Sequence, residues 1–249
     1  MTFLKRLQWA LWPNQSPVEP STSHLSGQQS TIIAENLKLL ALQHQINPHF
    51  LYNTLEGIRS EALIGGVPSA AKMAELLANY FRYNITQTNT LVTIDDELAN
   101  INNYFHIQKF RFEERLDMNI VFHEHEELIR QTLIPKLTLQ PIVENAILHG
   151  VEPQLSSGLV TLRFFLYSQR LVIVVSDTGV GILPCQLRRI NTLLACSEPP
   201  ASEGVGIYNV NTRIKLLLGQ NYGLHINSVV NQGTDVEIHL PYGKGSLHE

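Results

Sequence analysis

The sequence predicts an α+β protein in two parts, a helical hairpin followed by an α/β sandwich. Three observations carry that prediction. Residues 31–112 hold apolar side chains at helical spacing with one interruption, and from Leu116 short Val- and Ile-rich runs take over. Those runs follow one another across turn residues while the helices group apart, which argues against a doubly wound parallel sheet. The 249 residues suit one large domain or two modest ones. With 44% hydrophobic and 16% charged residues, disorder throughout is excluded. A formal charge of −4 leaves no basic field for nucleic acid. Cys185 and Cys196 are too few for a disulfide scaffold or a four-cysteine zinc site, and fit a reducing compartment. No uncharged apolar run approaches the roughly 18 residues that span a bilayer, and the first residues lack a signal-peptide cleavage pattern. A cytoplasmic chain is expected.

Residues 1–30 read as an arm and a linker. Phe3, Leu4, Leu7, Trp9, Leu11 and Trp12 surround Lys5 and Arg6, a pattern that suits an amphipathic anchor to a membrane or sensor partner, or a frayed end beside an upstream module. Residues 13–30, rich in Pro, Ser and Gln, have almost nothing to bury and read as a flexible linker.

Residues 31–114 are expected to form the helical domain. Leu37, Leu40, Leu51, Leu55, Ile58 and Ala62 share one face at about 100° per residue. Gly65-Gly66-Val67-Pro68 breaks the run, with Pro68 suited to opening a second helix to about Thr86 that buries Met73, Leu76, Leu77, Tyr80 and Phe81. Two antiparallel helices cannot enclose a core alone. Two copies can, as a four-helix bundle, so a homodimer is predicted. A third helix over about 95–112 opens on Asp95-Asp96-Glu97, acids placed where the helix dipole favours them.

Residues 115–243 are expected to be the sandwich, with 244–249 as a tail. Asp117–Phe122 reads as a strand and Lys136–His149 as a helix. Leu159–Tyr167 and Arg170–Ser176 make a hairpin about Ser168-Gln169. A helix follows at about 207–218, and then strands Leu224–Val230 and Asp235–Leu240 around Asn231-Gln232-Gly233.

Three segments of this second half hold the ingredients of a nucleotide site. Asp177-Thr178-Gly179-Val180-Gly181 follows a strand, where a carboxylate can accept from an exocyclic amine and glycines let backbone approach a ring. Gly204-Val205-Gly206 opens a helix whose unpaired N–H groups suit phosphates. Asn145 lies beside the buried stripe of Leu139, Ile142, Val143 and Ala146, where its amide oxygen can face a hard cation such as Mg²⁺. Any one of these patterns is also what an ordinary turn looks like; their order and spacing together are far more specific.

The segments "LQPIVENAILHG", "SDTGVGI" and "EGVGIYNV" resemble the asparagine box and two glycine boxes of the GHKL, or Bergerat-fold, ATP-binding domain. "LQHQINPHFLYNTLEGI" resembles the phosphoacceptor segment of LytS-type sensor histidine kinases, and "ELANINNYFHIQKFRF" matches their spacing. The resemblance covers about residues 35–241. It implies a protein-histidine kinase of a two-component system, in which a helical dimerisation and phosphotransfer domain precedes a GHKL ATP-binding domain. ATP and Mg²⁺ would be its cofactors, and a response regulator receiver domain its partner. Asn145 would ligate Mg²⁺, with Glu144 beside it as a polar or base group. Asp177 would receive the adenine amino group. Gly179 and Gly181 would shape the adenine pocket, Gly204 and Gly206 the phosphate-facing loop, and Thr234 would support the adenine end. Residues 183–203 would form a mobile lid. His49 would become phosphohistidine and pass its phosphoryl group to an aspartate of the regulator.

The residues themselves agree with that role for His49. On an ideal helix it points roughly 150° away from the Leu51/Leu55/Ile58/Ala62 stripe, towards solvent. A nucleophile that meets a phosphate carried by another domain needs that exposure. Pro48 removes a helical hydrogen bond one residue earlier. Many histidine kinases place an acid after the phosphoacceptor; here the position holds Phe50, which leaves the general base open. Asn53, one turn on, can orient a water or the imidazole, and is expected to support dephosphorylation of the regulator. Leu148 stands where the family often has Lys.

Other polar residues read as structural. His123-Glu124-His125-Glu126-Glu127 lacks the spacing of a zinc motif. His44 falls on the packed side of its helix, Arg82-Tyr83 resembles a family pair near the domain joint, and Cys185 and Cys196 are expected to be spectators. A regulatory scaffold that binds nucleotide without phosphotransfer is the competing reading. No sensor or membrane span precedes the linker, so the input signal is expected from elsewhere.

Overall fold

A computed structural model describes residues 48–85, 90–154, 156–167, 169–195 and 205–242. The expected arm, linker and tail, together with His44, Cys196 and Gly204, lie outside the described residues.

Helices α1 (Pro48–Ile64) and α2 (Pro68–Ile85) form the predicted hairpin. The turn between them uses Gly66 at φ +69°, a conformation that costs a side-chain-bearing residue about 1 kcal/mol or more. Leu55, Ala78 and Phe81 make a small apolar cluster with Leu51, Tyr52, Leu77, Tyr80 and Ile85 around it. Phe50, Ile58, Leu63 and Ile64 stay exposed, an apolar surface that the hairpin does not cover by itself.

Strand β1 (Leu91–Thr93) leads into α3 (Ile94–Phe112). Thr93 and Asp96 cap this helix reciprocally: the Asp96 amide donates to Thr93 Oγ1 at 3.1 Å and the Thr93 amide to Asp96 Oδ2 at 3.1 Å. Periodicity groups α3 with the hairpin. The structure instead sends its Ile94, Leu98, Ile101 and Phe105 into the same core as the sheet.

The sheet is built from β2 (Leu116–Phe122), β4 (Gly158–Tyr167), β5 (Arg170–Asp177), β6 (Gly223–Val229) and β7 (Gly233–Pro241), in the order β2-β4-β5-β7-β6. Pairs are antiparallel except β2–β4, which is parallel. Between β2 and β4 run the short helix α4 (Glu126–Arg130), strand β3 (Leu133–Pro135) and helix α5 (Gln140–Asn145). This long crossover is what lets β2 and β4 run the same way. Strands β4 and β5 alternate buried and half-buried residues, so one face of the sheet packs on helices, as the α+β prediction requires. Phe164, Leu162, Leu171 and Ile173 on that face are fully buried.

Three elements depart from the sequence reading. Strands β1 and β3, three residues each, pair antiparallel and carry too little pattern to be read. The helix expected from Lys136 begins only at Gln140, because residues 136–139 turn back with Leu137 at φ +62°. It then widens into a π-helical turn over Ala146–Val151. Finally, residues 184–195 of the expected lid are a helix, α6 (Pro184–Ala195). Leu187, Ile190 and Leu194 pack it on the core and the Asn191 amide donates to the Ile226 carbonyl at 3.2 Å. Residues 196–203 of that segment lie outside the described residues. Helix α7 (Val205–Leu218) completes the helical layer.

Candidate functional site

Asp177 ends β5, opposite Thr234 of β7, and its carboxylate is buried. The Gly179 amide donates to Asp177 Oδ1 at 2.8 Å and the Thr234 amide also bonds to the carboxylate. Burial nevertheless dominates and pushes the carboxyl up from 3.8 to about 6, against the lowering by those two amides. A carboxylate so desolvated is poised to gain from a polar group that reaches it.

Three glycines pack backbone closely around Asp177. A Cβ at Gly150 would stand 2.5 Å from Asp177 Oδ1, one at Gly179 would overlap the Gly150 backbone, and one at Gly233 the Asp177 carbonyl. The Val180 amide donates to the Gly150 carbonyl at 3.1 Å, which ties the π-helical turn to the loop after β5. Gly181 adopts φ +67° against the Val229 carbonyl. Thr234 Oγ1 lies 2.9 Å from Ser228 Oγ, which also receives the Ile182 amide at 2.9 Å. Asp177, Gly179, Gly181 and Thr234 are therefore brought together, in a cradle whose close backbone packing leaves no room for a Cβ at Gly179 or Gly181. Sequence reasoning misses Gly150, although it closes "ENAILHG"; the available signal is a glycine shortly after the helix that carries Asn145.

Asn145 ends α5 with its side chain half-buried. Gly206 lies in the first turn of α7, and a Cβ there would touch none of the described residues. Leu148 is half-buried in the π-helical turn. Among the described residues no three His, Cys, Asp or Glu side chains converge on a possible metal position. A cation held by an amide oxygen and by the phosphates of a bound nucleotide suits such a donor set, since Mg²⁺ keeps few protein ligands.

Glu144 is turned to the helical hairpin. Its Oε1 accepts from Tyr80 Oη of α2 at 2.9 Å and from Gln140 Nε2 at 2.7 Å, and burial raises its carboxyl against the lowering by those two bonds. Glu97, placed by the sequence in a dipole-facing first turn, is fully buried. It accepts from the Leu137 amide at 2.6 Å, the Leu139 amide at 2.9 Å and Tyr83 Oη at 2.5 Å. One carboxylate thus caps the start of α5 and holds the end of α2. Arg213 of α7 donates to the Leu137 carbonyl at 2.7 Å, clamping the same loop from the other side. Neither Glu97 nor Arg213 has a sequence signal, because their partners are 40 and 76 residues away.

His49 is exposed at the start of α1. Asn53 Nδ2 lies 3.3 Å from His49 Nδ1, so the structure places the amide one turn on against the ring, where it can orient the imidazole. Phe50 is also exposed and supplies no base. His123 stacks on Phe165 at 4.2 Å between centroids, a packing role.

Two family models match the chain. Residues 37–116 match "Histidine kinase", and residues 133–244 match "Histidine kinase-, DNA gyrase B-, and HSP90-like ATPase". The sensor histidine kinase YesM of Bacillus subtilis is 36% identical over 213 residues, 86% of this chain and 35% of that protein. YpdA of Escherichia coli, also named a sensor histidine kinase, is 36% identical over 210 residues, 84% of this chain and 35% of that protein. BtsS of the same species, likewise so named, is 31% identical over 215 residues, 86% of this chain and 35% of that protein. The chain spans about a third of the length of these curated relatives.

Proposed function

The chain belongs to the histidine kinase family, and from that membership we propose that it is the kinase core of a two-component system, which phosphorylates itself on His49 from ATP. The observation that carries the reading is the pairing of an exposed His49, with Asn53 against its ring, and a glycine-lined Asp177 cradle in the matched ATPase domain. Asp177 would accept the adenine amino group, with Thr234, Gly179 and Gly181 shaping the pocket around the base. The N–H groups at the start of α7, with Gly204 and Gly206, would face the phosphates. Asn145 would hold Mg²⁺, whose charge offsets that of the phosphates.

A ring nitrogen of His49 forms the bond to the γ-phosphorus while the bond to the ADP oxygen breaks. ADP leaves with that electron pair, and the phosphoryl-imidazolium sheds its remaining N–H proton. Asn53 holds the ring for this step. Phosphoryl transfer depends mainly on positioning and charge, so it does not demand an acid at the Phe50 position. The phosphoryl group would then pass to an aspartate of a response regulator receiver domain. The exposed apolar residues of α1 suit a four-helix bundle in a homodimer. Among the described residues no helix is long and apolar enough to cross a membrane; a cytoplasmic position for this core is part of the proposal.

Incubation with γ-labelled ATP tests the reading. Acid-labile, alkali-stable label is expected in the native chain and absent in His49→Gln, which still binds nucleotide. Label that survives in His49→Gln, or nucleotide binding with no label in the native chain, overturns it; the second result favours the scaffold.

A further inference from the structure

The tyrosines at the end of α2 meet two carboxylates, Glu144 within α5 and Glu97 of α3, which caps the start of α5. Tyr80 and Tyr83 stand three residues apart and so on one face of the helix. Tyr80 Oη donates to Glu144, within α5, at 2.9 Å, and Tyr83 Oη donates to Glu97, which caps the start of α5, at 2.5 Å. We propose that Tyr80 and Tyr83 are positioning residues, a two-hydroxyl latch that sets where the nucleotide-bearing helix stands relative to the phosphoacceptor hairpin and so how a bound triphosphate approaches His49. This rests on the kinase reading above.

Apolar contact alone would not fix that orientation. It is non-directional, whereas a phenol bonded to a buried carboxylate has one productive geometry. Tyr80 packs against both apolar clusters, the small one of the hairpin and the main core of the sheet domain, so it lies at the joint itself. The joint is at the phosphoacceptor end of the hairpin. Tyr80 and Ile85 share the small cluster with Leu51 and Tyr52, and the Arg82 guanidinium lies 5.7 Å from the Tyr52 ring centroid. His49 is one turn before Tyr52. The hairpin turn at Gly65-Gly66 is at the far end of both helices. Burial and the carboxylate charges raise both phenols, which keeps the hydroxyls protonated as donors.

Phenylalanine removes each hydroxyl and keeps the ring packing, including the stack of Tyr80 on Tyr104 at 5.7 Å. Glu97 keeps its backbone donors and Glu144 its Gln140 amide. Tyr80→Phe, Tyr83→Phe and the double variant are compared with the native full chain in three measurements. These are single-turnover labelling at saturating ATP, affinity for trinitrophenyl-ATP, and the distance distribution between spin labels at Ser60→Cys and Gln169→Cys with Cys185 and Cys196 replaced by Ser. Labelling is expected to slow about threefold to tenfold in each single variant and about thirtyfold in the double, with affinity held within about twofold. The label distances should broaden in the double variant. Native labelling rate in the double variant, or equal losses of affinity and rate, overturns the proposal. So does an unchanged distance distribution. If the native chain takes no label, the kinase reading fails on its own, and the distances alone decide the latch.

Discussion

Replacing Asp177 with asparagine separates the cost of holding a buried charge from the gain of using it. The carboxyl titrates near 6 in the folded chain because burial outweighs the Gly179 and Thr234 amides, against an ordinary value of 3.8. Between those values the folded state binds more protons than the unfolded one, so stability falls as pH rises through this window. Below it both states are protonated and the extra stability is fully present; above about 6 it is lost. A displacement of about two units corresponds to roughly 3 kcal/mol at about 1.4 kcal/mol each. The substituted amide does not titrate. The stability of Asp177→Asn relative to the native chain should therefore climb by about 2.4 kcal/mol from pH 4 to pH 7, whatever fixed offset the amide introduces. Urea unfolding at half-unit steps of pH, with both proteins in the same buffers, measures that difference directly. Nucleotide affinity should move the other way. The variant loses roughly 10- to 100-fold at pH 7.5, the worth of a hydrogen bond to a charged acceptor, and native affinity weakens below pH 6. Parallel stability curves across the whole range would refute the claim that Asp177 is a desolvated carboxylate waiting for a ligand.

Gly179→Ala should abolish nucleotide binding and cost roughly 1–3 kcal/mol of stability, because its Cβ would overlap the Gly150 backbone; unchanged affinity by equilibrium titration would show that the cradle is more yielding than drawn. Asn53→Ala should lower dephosphorylation of the partner regulator more than autophosphorylation, since an attacking water needs a polar group to orient it, whereas the helix still presents the His49 ring without its amide neighbour. Timed assays of each reaction check this, and equal losses in both would reject it.

How far the site can be read from sequence varies with the range of the interactions involved. Asp177, Gly179 and Gly181 sit in one turn, where glycine and a strand-end carboxylate leave a local pattern. His49 and Asn53 share one helical turn, so helical spacing alone puts them side by side, and the hairpin turn at Gly65–Pro68 is legible from residue chemistry. The parallel pairing of β2 with β4 is not, since nothing local in either strand records its neighbour's direction. Strands β1 and β3 are too short for alternation to show. Residues 184–195 fall within the lid that the family resemblance implies; the apolar stripe of Leu187, Ile190 and Leu194 is what packs them as a helix on the core.

What the amino-acid order determined by itself was therefore the α+β class, the hairpin, and the membership of the nucleotide and phosphoacceptor motifs, all of which depend on residues within a few positions of each other. Only the tertiary structure decided that Glu97 caps a helix 40 residues away, that Glu144 turns towards α2, and that Tyr80 and Tyr83 meet those two carboxylates. Such contacts arise when separately readable elements dock, and buried carboxylates accept whichever N–H and O–H groups the docking brings within reach.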